Sequence, residues 1–174
     1  MYFITGNKNK FLEMKQFIPD LEMKNIDLPE LQELDAQLII KQKLDEGIKK
    51  LNKPFIVEDT SLSIKSLNGF PGALVKWFVK SLSLEDINNI LFKYEDKTAI
   101  ATTIIGYFDG AEKHFFKGEV HGTLVPRRGE GFGFDPIFQP KDSIKTFGEM
   151  TKTEKATISH RMKAVKKLKE FLEV

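Results

Sequence analysis

Two β-prone runs meet at Asp109-Gly110, and no other feature restricts the possible folds so far. Thr98–Phe108 is rich in Thr, Ile and Ala, Lys113–Val120 follows, and an Asp-Gly pair between such runs signals a hairpin. Antiparallel pairing is therefore required in the second half of the chain. The first third reads differently. Residues 2–5 form a short buried strand broken by Gly6-Asn7. Apolar positions 11, 14 and 18 make a helical stripe over Phe11–Ile18, closed by Pro19-Asp20. Leu21–Ile26 is a second strand, and a helix covers about 35–51 with Leu38, Leu44, Ile48 and Leu51 on one side. Pro54 opens a third strand, Phe55-Ile56-Val57, which ends in Glu58-Asp59-Thr60. Alternating β and α segments followed by a hairpin specify an α/β fold, with helices against a mixed sheet.

Other signals fill in the rest. Asn68-Gly69 and Pro71-Gly72 mark turns, and Ser83 with Asp86 forms a capping box for a helix through Phe92. Leu124-Val125 begins another strand or ends the preceding one, and a glycine-rich stretch runs from Gly129 to Pro136. Ile158, Met162, Val165, Leu168 and Leu172 keep helical spacing in a C-terminal helix. No repeat, low-complexity tract or linker interrupts the 174 residues, so 1–174 is read as a single domain. A chain of this length can bury roughly 70% of its unfolded surface, and the 41% hydrophobic content, with fifteen Phe, can fill that core.

The same composition excludes whole classes. The absence of cysteine removes disulfide scaffolds, thiolate zinc sites and cysteine nucleophiles. No apolar run nears the roughly 20 residues of a membrane span, and Met1-Tyr2-Phe3-Ile4 lacks a signal-peptide pattern. A cytoplasmic address without a membrane partner is expected. A net charge of +2 falls short of a nucleic-acid binder's footprint, so no nucleic-acid partner is expected.

Four segments could carry chemistry. Thr5-Gly6-Asn7-Lys8-Asn9-Lys10 lies between strand and helix, where backbone N–H groups and a helix start suit an anion, or it is an ordinary polar turn. Glu58-Asp59 ends a buried strand, and such carboxylates bind a hard cation or position a water. Adjacent strand residues face opposite ways, so the two cannot share one role equally. Glu30 follows Pro29 in a loop as another free carboxylate. Gly131-Phe132-Gly133-Phe134-Asp135-Pro136 offers aromatic faces to a nucleobase and an Asp to its edge, or its Phe side chains plug the core. Ser159-His160-Arg161 opens the last helix with two donors directed off the buried stripe. His114 and His121 have no metal-like partner.

Together, these motifs resemble the inosine triphosphate pyrophosphatase family, the XTP/dITP diphosphatases that clear non-standard purine nucleotides. The resemblance runs nearly end to end. It rests on Thr5-Gly6-Asn7 with Lys10, Leu28-Pro29-Glu30, Val57-Glu58-Asp59-Thr60, Phe70-Pro71-Gly72 and Lys76-Trp77-Phe78. It continues through Gly133-Phe134-Asp135-Pro136-Ile137-Phe138, Glu149-Met150, Glu154-Lys155 and Ser159-His160-Arg161. The resemblance implies an elongated mixed sheet with helices in two lobes, a central substrate cleft and a homodimer. It implies Mg²⁺-dependent hydrolysis of a nucleoside triphosphate such as ITP, dITP or XTP to the monophosphate and pyrophosphate.

Carried over by position, Thr5, Gly6, Asn7 and Lys10 look like the phosphate loop, with Thr60 also at the substrate. Glu30 and Asp59 look like the metal and water-activating carboxylates, with Glu58 alongside. Lys43 fits the polyphosphate lysine by its spacing to Pro54, with Lys41 close by. Asp59, Lys10 and Lys43 are thus the expected catalytic set, and nearby lysines are expected to keep Asp59 ionised. Phe132, Gly133, Phe134, Asp135, Lys155, Ser159, His160 and Arg161 match the base pocket. Ala156 and Phe134 depart from the family's usual Asn and the closest branch's Trp.

Three other readings compete. A Maf-like pyrophosphatase acting on pyrimidine nucleotides is opposed by Ser159-His160-Arg161 and Gly133-Phe134-Asp135-Pro136. A nucleotide sensor without turnover is opposed by the Glu30, Glu58 and Asp59 set. A lysine-rich nucleic-acid module requires steep salt dependence of binding.

Overall fold

One strand, β3, organises the molecule, because its two halves belong to different cores. In the computed structural model, which describes residues 1–173, the chain runs β1 (Tyr2–Ile4), α1 (Lys8–Lys15), β2 (Glu22–Lys24), α2 (Ala36–Lys50) and β3 (Phe55–Ile64). β4 (Pro71–Gly72), α3 (Val75–Ser81), α4 (Leu84–Phe92), β5 (Thr98–Phe108) and β6 (Lys113–Leu124) follow. β7 (Phe138–Pro140), α5 (Lys152–Ile158) and α6 (His160–Leu172) complete the chain. The sheet order is β2-β1-β3-β5-β6-β7, with β4 also paired to β3. β1 is parallel to β2 and β3, and the remaining pairs are antiparallel. The expected mixed sheet is present.

β3 pairs with β5 without interruption from Phe55↔Phe108 to Ile64↔Ala99. The Asp109-Gly110 hairpin then carries β6 back along β5 as far as Thr98↔Thr123, so Leu124 ends this strand rather than starting a new one. Asp109 Oδ1 accepts from the N–H groups of Ala111 and Glu112, both at 2.7 Å, which fixes the turn.

The apolar residues fall into three clusters. At one end of β3, Ile56 joins Phe3, Ile105, Val165 and Leu168 on the α6 face, while Phe55 and Val57 join Ile40, Leu44 and Phe108 on the α2 face. At the other end, Leu62 and Ile64 join Val75, Ile87, Leu91, Phe138 and Phe147. Each fully buried side chain of this size stabilises the fold by about 1.5–3 kcal/mol relative to an exposed one. These are the two lobes. Between them β3 presents Glu58, Asp59, Thr60 and Ser61, residues that neither core would accept unpaired.

Three details position the site and differ from the sequence reading. α1 starts at Lys8 rather than Phe11, because the Asn7 side chain accepts from Asn9 N at 3.0 Å and Lys10 N at 3.1 Å. The C-terminal helix breaks at Ser159, whose extended backbone ends α5 and whose side chain caps α6 by accepting from Met162 N at 3.2 Å. Lys76 and Trp77 lie on α3, a short helix for which the sequence shows no periodic signal.

Gly118 of β6 allows the start of α6 to rest directly on the sheet. A Cβ there would lie 2.1 Å from His160 O and 2.5 Å from Ala164 N, both backbone atoms.

Candidate active site

A cleft of about 1070 Å³ opens between the lobes, and the polar segment of β3 forms its floor. Strand alternation divides that floor. Asp59 shares the α2 face with Val57, whereas Glu58 shares the α6 face with Ile56. Each carboxylate therefore has its own partners.

On the α2 face, Lys43 Nζ donates to Asp59 Oδ1 at 2.9 Å and lies 3.1 Å from Glu30 Oε1. Lys41 is exposed, so Lys43 is the lysine that reaches the cleft. Lys76 Nζ approaches the other Glu30 oxygen at 3.6 Å, and Trp77 stands beside it on the cleft wall. Asp59 Oδ2 is buried without a hydrogen-bond partner. Burial pushes the Asp59 carboxyl above its ordinary value, against the opposing pull of Lys43 and Lys10. The lysines favour the ionised form as expected, while desolvation at the strand centre is the larger effect. Burial alone would also raise Glu30, yet Lys43 and Lys76 outweigh it and hold that carboxyl low.

On the α6 face, Glu58 is shut off from solvent. Its Oε1 accepts from Thr60 Oγ1 at 2.6 Å, Thr103 Oγ1 at 3.3 Å and Arg161 Nη2 at 3.3 Å. Lys10 Nζ lies 2.7 Å from Oε2 as an ion pair. Burial alone would raise this carboxyl, but Lys10 and Arg161 hold it far below the usual carboxylate range. Alternation turns Glu58 to the other face from Asp59 and cations fill its surroundings, so it is not brought together with Glu30 and Asp59, the carboxylates expected beside it.

The phosphate-loop residues meet at the mouth of the cleft. Thr5 Oγ1 accepts from Asn7 N at 3.1 Å, and Asn7 Oδ1 caps α1. Both side chains use their acceptors internally, so the Thr5 hydroxyl proton and the Asn7 amide protons remain to donate to an anion. Gly6 has no side chain to obstruct that approach.

At the far end, the glycine-rich loop separates its two aromatics. Phe134 is buried against Phe138 and His160, with ring centroids 5.8 Å from each. It is a core residue that reaches the cleft wall, the second of the two roles the sequence left open for this loop. Phe132 holds that position, half-buried, with Lys155 Nζ 4.7 Å and Arg161 Cζ 5.8 Å from its ring centroid. Gly133, at φ +64, provides the backbone turn between them. Asp135 is buried and accepts from Lys155 Nζ at 2.6 Å.

Lys155 and Ser159 do not line the main cleft. They border an adjoining pocket of about 140 Å³ whose wall Phe132 and Arg161 share. Ser159 caps α6 at that pocket. Arg161 Nη1 donates to Glu13 and Nη2 to Thr60 at 3.0 Å, while its Nε–H is buried without a partner. Glu13 escaped the sequence reading. Its one local signal is that, with α1 started at its Asn7 cap, it shares a face with Lys10 at i,i+3 spacing, which does not name its partners Lys155 and Arg161.

His160 gives a pH prediction. Burial, reinforced by Arg161 and Lys155, holds its imidazole well below the ordinary histidine value, so it is neutral in the folded chain. Below about pH 6.5 the unfolded chain takes up this proton and the folded chain does not. Stability should therefore fall by roughly 1.4 kcal/mol per pH unit below that point. His160→Phe keeps a ring beside Phe134 and Phe147 and should lose this slope between about pH 6.5 and 5. Equal slopes for native and variant in urea unfolding across that window would refute the assignment.

Comparison with known proteins agrees with the fold. The model of the Ham1 family matches residues 1–171. Inosine triphosphate pyrophosphatase of Kluyveromyces lactis is 42% identical over 182 residues, covering 98% of this chain and 94% of the relative. The Saccharomyces cerevisiae protein of the same name is 42% identical over 185 residues, with the same coverage. The structure of the Staphylococcus aureus Ham1 protein superposes with a TM-score of 0.86 at 29% identity, covering 99% of this chain and 97% of that one.

Proposed function

The chain belongs to the Ham1 family, and from that premise we propose that it hydrolyses deaminated purine nucleoside triphosphates (ITP, dITP and XTP) to the monophosphate and pyrophosphate. The observation that carries this reading is the placement of Asp59, clamped by Lys43, in the same cleft as the capped Thr5-Gly6-Asn7 turn.

Triphosphate cleavage needs charge neutralisation and a positioned water more than a covalent nucleophile. Thr5, Asn7 and Lys10 bind the phosphates, and Lys43 adds charge beside the reacting group. Asp59 orients a water and accepts its proton as the oxygen adds to phosphorus at the α–β anhydride and pyrophosphate departs.

The residues present fit Mg²⁺. Asp59 Oδ2 is a buried oxygen without a partner, and Glu30 stands across Lys43 from it. Among the described residues no three His, Asp or Glu side chains converge as a metal cage, and Mg²⁺ typically takes one or two carboxylates together with substrate phosphates. Glu30 and Asp59 would hold the ion, which when bound neutralises phosphate charge.

At the base end, Phe132 provides the stacking face, and the unpaired Nε–H of Arg161 suits the C6 carbonyl of hypoxanthine or xanthine. Adenine presents an amino donor there, which would leave two donors facing each other. Pyrophosphate release should be measured from ITP, XTP, dITP and ATP, with and without Mg²⁺. Inosine and xanthosine nucleotides should exceed ATP clearly in kcat/KM, and release should require the metal. Equal turnover of ITP and ATP would remove this reading.

A further inference from the structure

A continuous series of ion pairs of alternating charge joins the phosphate turn to the base loop. Lys10 meets Glu58 at 2.7 Å, Glu58 meets Arg161 at 3.3 Å, and Arg161 pairs with Glu13. Lys155 then bridges Glu13 at 2.8 Å and Asp135 at 2.6 Å. Lys10 belongs to the phosphate end and Arg161 to the base end, and Glu58 touches both. Its side chain is 0% exposed, so water cannot replace a partner that leaves.

We propose that Glu58 is a positioning residue that couples phosphate binding to base recognition in the nucleotide cleft assigned above. The proposal rests on that assignment of the two ends. A carboxylate without solvent that loses one counter-charge draws harder on the one that remains. The two links of Glu58 differ in how accessible they are from the cleft. Its Oε1 is held by hydrogen bonds from Thr60, Thr103 and the 4% exposed Arg161, whereas Oε2 meets Lys10 alone, whose side chain is 19% exposed. Phosphate oxygens at the capped turn compete for Lys10, the more accessible partner, and draw it away from Glu58. Glu58 then depends on Arg161, holding the guanidinium against β3 and fixing its free donor for the base carbonyl. Phosphate binding thereby prepares the base site before the base is read.

Two fragments separate the ends. Binding of inosine to the full chain should be measured by calorimetry with and without inorganic tripolyphosphate, in Mg²⁺ buffer. Tripolyphosphate should tighten inosine binding by about fivefold or more. Glu58→Gln should bring that factor close to one while both fragments still bind. Lys10→Met leaves Glu58 permanently with Arg161, so this variant should bind inosine at the tightened level without tripolyphosphate. It also serves if Glu58→Gln does not fold.

Independent binding of the two fragments to the native protein would overturn the coupling, as would a factor that survives Glu58→Gln. A metal-ligand role would leave the factor intact and raise the Mg²⁺ requirement equally for every nucleotide, which also overturns it. If neither fragment binds, the nucleotide cleft itself is wrong and the role of Glu58 falls with it. Failure of the coupling alone leaves ITP hydrolysis standing, because turnover of ITP against ATP is measured separately.

Discussion

Asp59→Asn should lower single-turnover cleavage of ITP by about 10²- to 10⁴-fold, the usual cost of losing a positioned general base. Asn keeps the size and one acceptor oxygen, but it cannot take the water's proton. It also leaves Lys43, which donates to Asp59 Oδ1 at 2.9 Å, with only the half-exposed Glu30 as counter-charge. Substrate binding should change far less, since the Asn7-capped turn, Lys10 and Phe132 are untouched. Equilibrium binding of a non-hydrolysable ITP analogue makes that comparison. Cleavage within about threefold of native, well inside the range just given, would remove Asp59 as the base and leave Glu30 as the carboxylate on that face.

Arg161→Met should act on both stability and specificity. The guanidinium is 4% exposed and satisfies Glu58, Glu13 and Thr60 together. Removing one partner of a buried ion pair costs about 3–5 kcal/mol. The lower figure is expected here, because Lys10 still faces Glu58 and Lys155 still faces Glu13. Among the molecules that remain folded, the ITP-to-ATP ratio of kcat/KM should fall about ten- to a hundredfold, the equivalent of one lost charge-assisted hydrogen bond. Urea unfolding and the nucleotide panel read the two effects separately. A stable variant with an unchanged ratio would show that Arg161 neither holds the network nor reads the base.

Much of this architecture was legible because local patterns and tertiary demands agree. The β5–β6 hairpin follows from its runs and its Asp-Gly turn, and the Ser83–Asp86 capping box forms as expected. Alternation alone separates Glu58 from Asp59, though not which cation meets which carboxylate. The start of α1 was hidden because Lys8, Asn9 and Lys10 contribute nothing to an apolar stripe, while the signal lay in the Asn7 cap. The break at Ser159 was hidden for the opposite reason, since Ile158 continues the apolar spacing of the next helix across it. Which of Phe132 and Phe134 turns inward depends on the backbone at Gly133, and residue identity does not state it. Glu13 is the hardest case, because its partners Lys155 and Arg161 lie 142 and 148 positions away.

The lining of the cleft also bears on how substrate arrives. Lys8, Lys10, Lys43, Lys76 and Arg161 are matched there by Asp27, Glu30, Glu58, Asp59 and Asp135, five charges of each sign. Beyond a Debye length of about 8 Å such a set projects little field. A nucleotide approaching this cleft therefore gains little of the roughly 10- to 1000-fold acceleration that a one-signed cleft provides. A long-range field would in any case be useless for selection, because ITP and ATP carry the same charge and would be drawn in alike. Abundant ATP is not concentrated at the entrance, and on the proposed reading discrimination begins only after contact, where the base would meet Phe132 and Arg161.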